Sequence, residues 1–165
     1  MDILDAVKSR RSVREFTKED VSDKQVDIVL EAGRWAPSGL NNQPWKFKVI
    51  RDLELKKRLA GCTHYGKIIM DAPVSIAVFL DNSGVYDRTK DLQAVGACIQ
   101  NMLLAAHALG LGAVWLGEIL NKRKQAEKIL NVPEDCELMA VIAIGKPKEK
   151  KRASTRKNME ELLFR

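Results

Sequence analysis

Two short segments hold most of the side chains able to bind a ligand. The first is Arg10-Arg11-Ser12-Val13-Arg14-Glu15-Phe16. In extended backbone, side chains alternate between faces, which puts Arg10, Ser12 and Arg14 on one side and Arg11 and Val13 on the other. Two guanidinium forks flanking a hydroxyl suit a phosphate dianion, because arginine offers planar paired donors and keeps its charge. A solvated basic stretch is the alternative reading. The second segment is Ala36-Pro37-Ser38-Gly39-Leu40-Asn41-Asn42-Gln43-Pro44-Trp45, with two prolines, one glycine, one serine and three carboxamides in ten residues. A plain connector needs one or two turn residues. This one gathers uncharged hydrogen-bonding groups on a stiffened backbone, which suits a loop that reads a polar, planar ligand. A turn without a ligand is the alternative.

No other phosphate loop competes for the role. There is no GxxxxGK[ST] run, and Gly110-Leu111-Gly112 lacks the third glycine of the dinucleotide fingerprint. No side chain stands out as a nucleophile or general base, so no catalytic residue is assigned. His64 and His107 lie far apart, and His107 falls in an apolar helix pattern, where a satisfied core histidine is expected. Glu118, beside Gly117 at the end of a strand pattern, is better placed. Absence of a catalytic constellation points to a cofactor that does the hard chemistry while the protein binds and orients it.

Stepping through the elements shows what must hold these groups. A short helix is expected over residues 2–9. A second, over 22–35, is opened by Ser22 with Gln25 three positions on, the capping-box spacing. Trp45, Phe47 and Val49 alternate with Lys46 and Lys48, which predicts a strand with that apolar face buried. Asp52 to Ala60 reads as a surface helix closed by Gly61, and Val74 to Leu80 as a central strand. The long helix, about Thr89 to Leu109, carries apolar residues on nearly every face, so it needs cover on all sides. One sheet covers only part of it, and a second subunit supplying the rest is the economical solution; wrapping by its own chain is the alternative. Gly112 to Leu116 is a strand, Lys122 to Leu130 a helix with Asn121 as N-cap, and Glu137 to Ile144 the last strand. Residues 146–157 then hold seven basic side chains and one acid, before Glu160, Leu162, Leu163 and Phe164.

The two ligand-binding segments, in this order, resemble the flavin-dependent nitroreductase family. Met1 through Phe16 is similar to the family's start, and Ala36 to Trp45 to its A-P-S-(S/G)-x-N-x-Q-P-W signature. Asp91 to Gly117 resembles the central helix and following strand, so the similarity spans nearly the whole chain. The resemblance implies FMN as cofactor and NADH or NADPH as electron donor. It places Arg10, Arg11, Ser12 and Arg14 at the flavin phosphate and ribityl chain. Pro37, Ser38, Gly39 and Asn41 fall on a loop that reaches the other subunit's flavin, and Leu116 and Gly117 near the ring's N5 edge. Arg156 falls on the R-K-x-x-E-E ending whose arginine contacts the phosphate, with Lys151 and Arg152 as competing candidates. The implied fold is α+β, three-layered, with a mixed central sheet flanked by helices, in an intertwined homodimer that exchanges its C-terminal arm, residues 146–165.

Composition sets outer bounds. A chain of 165 residues with 45% hydrophobic side chains fits one domain, 1–165, with a sizeable core. Net charge is +6, which favours acidic small molecules. Nucleic acid is disfavoured as partner, because aromatics are only 5% and are not interleaved with the basic residues. Cys62, Cys98 and Cys136 show no zinc spacing, so no metal is assigned, and reduced buried thiols in a cytoplasmic protein are expected. No apolar run of membrane-spanning length occurs. The function expected is hydride transfer from NAD(P)H to a small nitroaromatic, quinone or related acceptor, ping-pong at one flavin. A non-catalytic flavin binder or a basic nucleic-acid-contacting protein is the alternative.

Overall fold

The Ser22 hydroxyl accepts from the Gln25 amide while Gln25 Oε1 accepts from the Ser22 amide, at 3.3 and 3.0 Å, closing the capping box that opens α2 (Asp23–Arg34). Similar local signals set the other helix starts. Asp2 caps α1 (Ile3–Ser9), Asp52 caps α3 (Leu53–Ala60) and Asp87 caps α5 (Arg88–Ala108), each through its carboxylate. Two further helices are α4 (Gly66–Asp71) and α6 (Arg123–Leu130). Asn121 does not cap α6. It lies in a 3-10 turn over Glu118–Lys122, and its amide donates to Glu118 instead. The strands are β1 (Trp45–Ile50), β2 (Val74–Asp81), β3 (Gly112–Leu116) and β4 (Cys136–Gly145). This computed structural model describes residues 1–148 and 153–164.

The sheet order is β1-β2-β4-β3, and all three pairings of these strands are antiparallel. Among the described residues, parallel pairing is limited to an isolated bridge from Ser12 to Ala113, so the expected mixed sheet is instead an antiparallel one. One face of the sheet, carrying Ile76, Val78, Leu80, Ile142 and Ile144, packs on α2 and α5. The other, carrying Ala77, Phe79, Val141 and Ala143, packs on α3, α4 and α6. The result is an α+β three-layer fold. A register shift between Val78 and Phe79 makes Met139 an extra residue in β4, so that Met139 and Ala140, adjacent in the strand, serve the same core.

β1 departs from its expected alternation. Trp45 and Phe47 face the α2–α5 layer, but Val49 is exposed and Ile50, on the other face, is fully buried. An edge strand that runs past the covering helices loses cover on one face first. The apolar surface of α5 is also only partly covered: Leu92 is exposed and Leu104, Ala105 and Leu109 are half-buried. Ile3, Leu4 and Val7 of α1 are exposed as well. Gly33 is where α2 meets α5 most closely, since a Cβ there would lie 2.8 Å from Met102 Cγ. All three cysteines are free and buried, and burial pushes the Cys98 thiol up to about 12, so it stays an unreactive thiol.

Candidate functional site

Residues 10–17 run beside the outer edge of β3 and the chain leaving β4. Val13 N–H donates to Ala113 O at 3.0 Å, and Thr17 N–H to Lys146 O at 2.9 Å. Gly112 permits this approach, because the Val13 side chain occupies the space a Cβ would need, 2.6 Å away. Of three cavities along this seam, one, lined by Arg14, Glu15 and Phe16 with Lys67, Asp71 and Lys148, holds Arg14 alone of the expected site residues, and the other two hold more.

The first, about 260 Å³, is lined by Arg10, Arg11 and Ser12 together with His107 and the backbone of Gly110 to Ala113. Arg11 folds back so that Nη1 donates to Lys8 O and Arg10 O at 2.7 and 2.8 Å. Arg10 is different: its Nε is buried and has no hydrogen-bond partner among the described residues. Burial, then the charge of Arg156, then that of Arg11, push the Arg10 guanidinium below its ordinary value. A buried donor with no protein acceptor among the described residues, under the field of two further guanidinium groups, suits an anion. Arg156, anchored through Ser154 Oγ and Thr155 O, therefore belongs to this cluster electrostatically. Lys151 and Arg152 lie outside the described residues. His107 is not a core residue as expected. It is half-buried on the cavity wall, with Nε2 2.8 Å from Ser9 Oγ.

The second cavity, about 180 Å³, is lined by Arg14, Tyr65, Leu116 and Gly117, with Val114 and Trp115. Arg14 therefore does not share the cavity of Arg10 and Ser12, while Arg11 does. Simple alternation fails because the segment pairs with β3 only at one bridge and is not regular strand. Glu118 adjoins this cavity. Its carboxylate accepts from Thr63 Oγ1, His64 N–H and Asn121 Nδ2, and these bonds, Thr63's foremost, hold it below the usual carboxylate range.

The Pro37–Asn41 loop lies elsewhere. Leu40, Asn41 and Gln43 all adopt left-handed backbone, with φ of 52°, 54° and 47°. Each costs about 1–2 kcal/mol for a residue with a Cβ, so the surrounding bonds must impose the shape. Ser38 Oγ accepts from Gln43 N–H at 3.0 Å, and Asn41 N–H donates to Ser38 O at 3.2 Å. Gly39 sits where any Cβ would collide with the Tyr86 hydroxyl. Asn42 Nδ2 donates to Gly84 O and to Asp91 Oδ1, at 3.2 and 2.8 Å. Asp91 is fully buried in the first turn of α5, and its other oxygen accepts the Tyr86 and Asp87 amides. Asn41 and Pro37 remain exposed. Asp91 and Asn42 escaped notice in the sequence because their contact spans 49 positions; the carboxamide density of the loop was the available signal.

Within one chain this loop cannot join the arginine cavity. Asp91 and His107 are 16 residues apart on α5, about 24 Å at 1.5 Å per residue. The loop also leads into β1, at the opposite sheet edge from β3, roughly 14 Å away at the usual strand spacing. Among the described residues, no cluster of three or more His, Cys, Asp or Glu is placed to hold a metal, and no helix is long and apolar enough to cross a membrane.

The geometry of the loop yields a direct expectation. Asp91→Ala leaves Asn42 and two backbone amides without their acceptor and should lower unfolding free energy by about 1–3 kcal/mol. Chemical denaturation measures this, and an unchanged midpoint would contradict the anchoring role.

Comparison with known proteins places the chain in a family. The nitroreductase family profile matches residues 7–65 and 61–146. A Methanothermobacter thermautotrophicus protein, provisionally named NADH dehydrogenase/NAD(P)H nitroreductase, is 36% identical over 90% of this chain and 79% of its own length. The FMN reductase [NAD(P)H] of Bacillus subtilis is 26% identical, over 90% of this chain and 67% of its own. Among solved structures, a provisionally named nitroreductase from Desulfovibrio desulfuricans in complex with FMN is 50% identical, with a TM-score of 0.92 over 100% of this chain and 96% of that one. This chain belongs to the nitroreductase family.

Proposed function

We propose that the protein is an FMN-dependent NAD(P)H oxidoreductase that reduces a small nitroaromatic, quinone or related acceptor, with both substrates using one site in turn. The observation that carries the reading is the unpartnered, buried Arg10 Nε in a cavity lined by Arg10 and Arg11, under the field of Arg156, with a separate cavity at Leu116 and Gly117 next along β3. The donor set fits FMN: guanidinium groups and the Ser12 hydroxyl for a phosphate and its polyol chain, and a narrower polar cavity for the edge of a ring. Bound there, FMN would supply two-electron chemistry, accepting hydride from the nicotinamide and releasing it to the acceptor. Arg10, Arg11 and Arg156 would hold the phosphate, with Ser12 beside it. Arg14 and the backbone at Leu116 and Gly117 would face the ring edge, where positive charge and N–H groups favour added electron density. Such work needs no side-chain acid or base, in keeping with the absence of a catalytic residue.

A second copy of this chain completes the site. Pro37, Ser38, Gly39 and Asn41 are preorganised yet out of reach of their own chain's arginines, so they serve the partner's flavin. The exposed apolar residues of α1, with Leu92 of α5 and Met159, Leu162, Leu163 and Phe164 of the arm, supply surface for that contact. The arm, residues 146–165, is read as crossing to the partner. FMN should then favour the dimer by mass action. Sedimentation should give a dimer with one FMN per chain; a monomer holding a full equivalent of FMN would refute the shared site.

Arg10→Ala should weaken FMN binding by about 1.5–3 kcal/mol, the scale of a hydrogen bond to a charged group. Arg10→Lys should lose less, because charge survives without the paired donors. Fluorescence titration of the flavin-free protein checks both, and unchanged affinity in the alanine variant would remove Arg10 from the phosphate site.

The purified protein should be yellow and release FMN on denaturation; a colourless protein with salt-sensitive DNA binding would favour nucleic-acid contact instead. Because the described chain offers one ring-edge cavity, nicotinamide and acceptor must alternate there. Double-reciprocal plots of NAD(P)H against a quinone or nitro compound should be parallel. Intersecting lines would reject the shared site.

A further inference from the structure

The loop between α3 and α4 meets the end of β3 through a single carboxylate. Thr63 Oγ1 donates to Glu118 Oε2 at 2.5 Å, and the same oxygen accepts the His64 amide at 3.0 Å. Thr63 Oγ1 in turn accepts the Tyr65 amide at 3.1 Å. A chain of bonds therefore runs from carboxylate to hydroxyl to the backbone of Tyr65. Lys122 Nζ adds a second tie to Gly61 O at 3.2 Å. Gly66 fixes the turn's direction, since a Cβ there would lie 2.4 Å from Ala60 O. Glu118 faces donors only: Thr63, His64 and Asn121. An ionised carboxylate satisfies all three, whereas an amide or a protonated acid sets a donor against a donor.

What this anchoring positions is Tyr65, which is about half exposed and lines the cavity at Leu116 and Gly117 with Arg14. A phenol combines a flat apolar ring with a polar tip, and a guanidinium offers planar donors. Together they suit a planar heterocycle with a carbonyl-rich edge. We propose that Glu118 is a positioning residue whose carboxylate, acting through Thr63, sets Tyr65 beside Arg14 as a wall of the flavin-edge site, and that Tyr65 is a further binding residue there. The identity of the ring rests on the flavin reading above; the anchoring does not.

Two measurements separate these parts. In the flavin-free protein, amide hydrogen exchange at Tyr65 reads the turn directly. Protection should fall in Thr63→Val and Glu118→Gln and be kept in Thr63→Ser, which retains the hydroxyl. Equal exchange in all four proteins would overturn the anchoring. With FMN, Thr63→Val, Glu118→Gln and Tyr65→Phe should each lose about three- to tenfold in affinity, the scale of one hydrogen bond. The visible circular dichroism of bound flavin should change with them, and Thr63→Ser should match wild type. Wild-type affinity and spectrum in all variants would overturn the role of Tyr65. A large fall in the flavin-free melting temperature that Thr63→Ser shares would also overturn it, by making the residue merely structural. A wild-type protein that keeps the exchange pattern but binds no FMN would reject the flavin reading and support the anchoring.

Discussion

Asp91 holds the carboxamide loop at the start of α5, and His107 lines the arginine cavity near its end. The rigid helix between them cannot shorten, because each turn is fixed by its own backbone hydrogen bonds. The sheet adds a second fixed distance, since β1 and β3 are its opposite edges. The loop and the arginine cavity are therefore held apart by the most regular parts of the fold. Everything functional in this chain follows from that separation. Each half is preorganised within its own chain, and on the reading proposed above a second copy brings them together.

The two halves store free energy in different forms. At the arginine cavity the store is electrostatic: Arg10 is partly desolvated, beside Arg11 and within the field of Arg156, and one of its donors is unmade. An anion relieves all of this at once. At the loop the store is conformational, with three left-handed residues in four positions. Their cost is met by Asp91, Ser38 and the Tyr86–Gly39 contact before any ligand arrives. Binding then loses little further backbone entropy, which is how preorganised loops raise affinity without large contact area.

Much of this was legible in sequence where the cause is local. The Ser22–Gln25 capping box and the continuous apolar run of β2 act over a few residues. The dense loop chemistry and the arginine segment were visible for the same reason. Local signals failed where tertiary contact decided. Asn121 looked like a cap but bonds Glu118, α4 is a six-residue helix opened by glycine, and Val49 lost its cover because β1 is an edge. Arg14 parted from Arg10 because residues 10–16 are not a regular strand. The Thr63–Glu118 bond spans 55 positions and has no spacing signature at all.

That last contact differs in kind from the packing that holds the sheet. The cores on either face of the sheet are dense and apolar, and they fix β3 to within the precision of close packing. The ligand-facing residues, by contrast, sit on β3's outer edge and on short turns, where each is held by one or two polar bonds. Changing such a bond leaves the cores untouched and alters only the wall of a cavity. The rigid parts set where the outer edge of β3 lies, and the polar ties of its turns set the shape that edge presents.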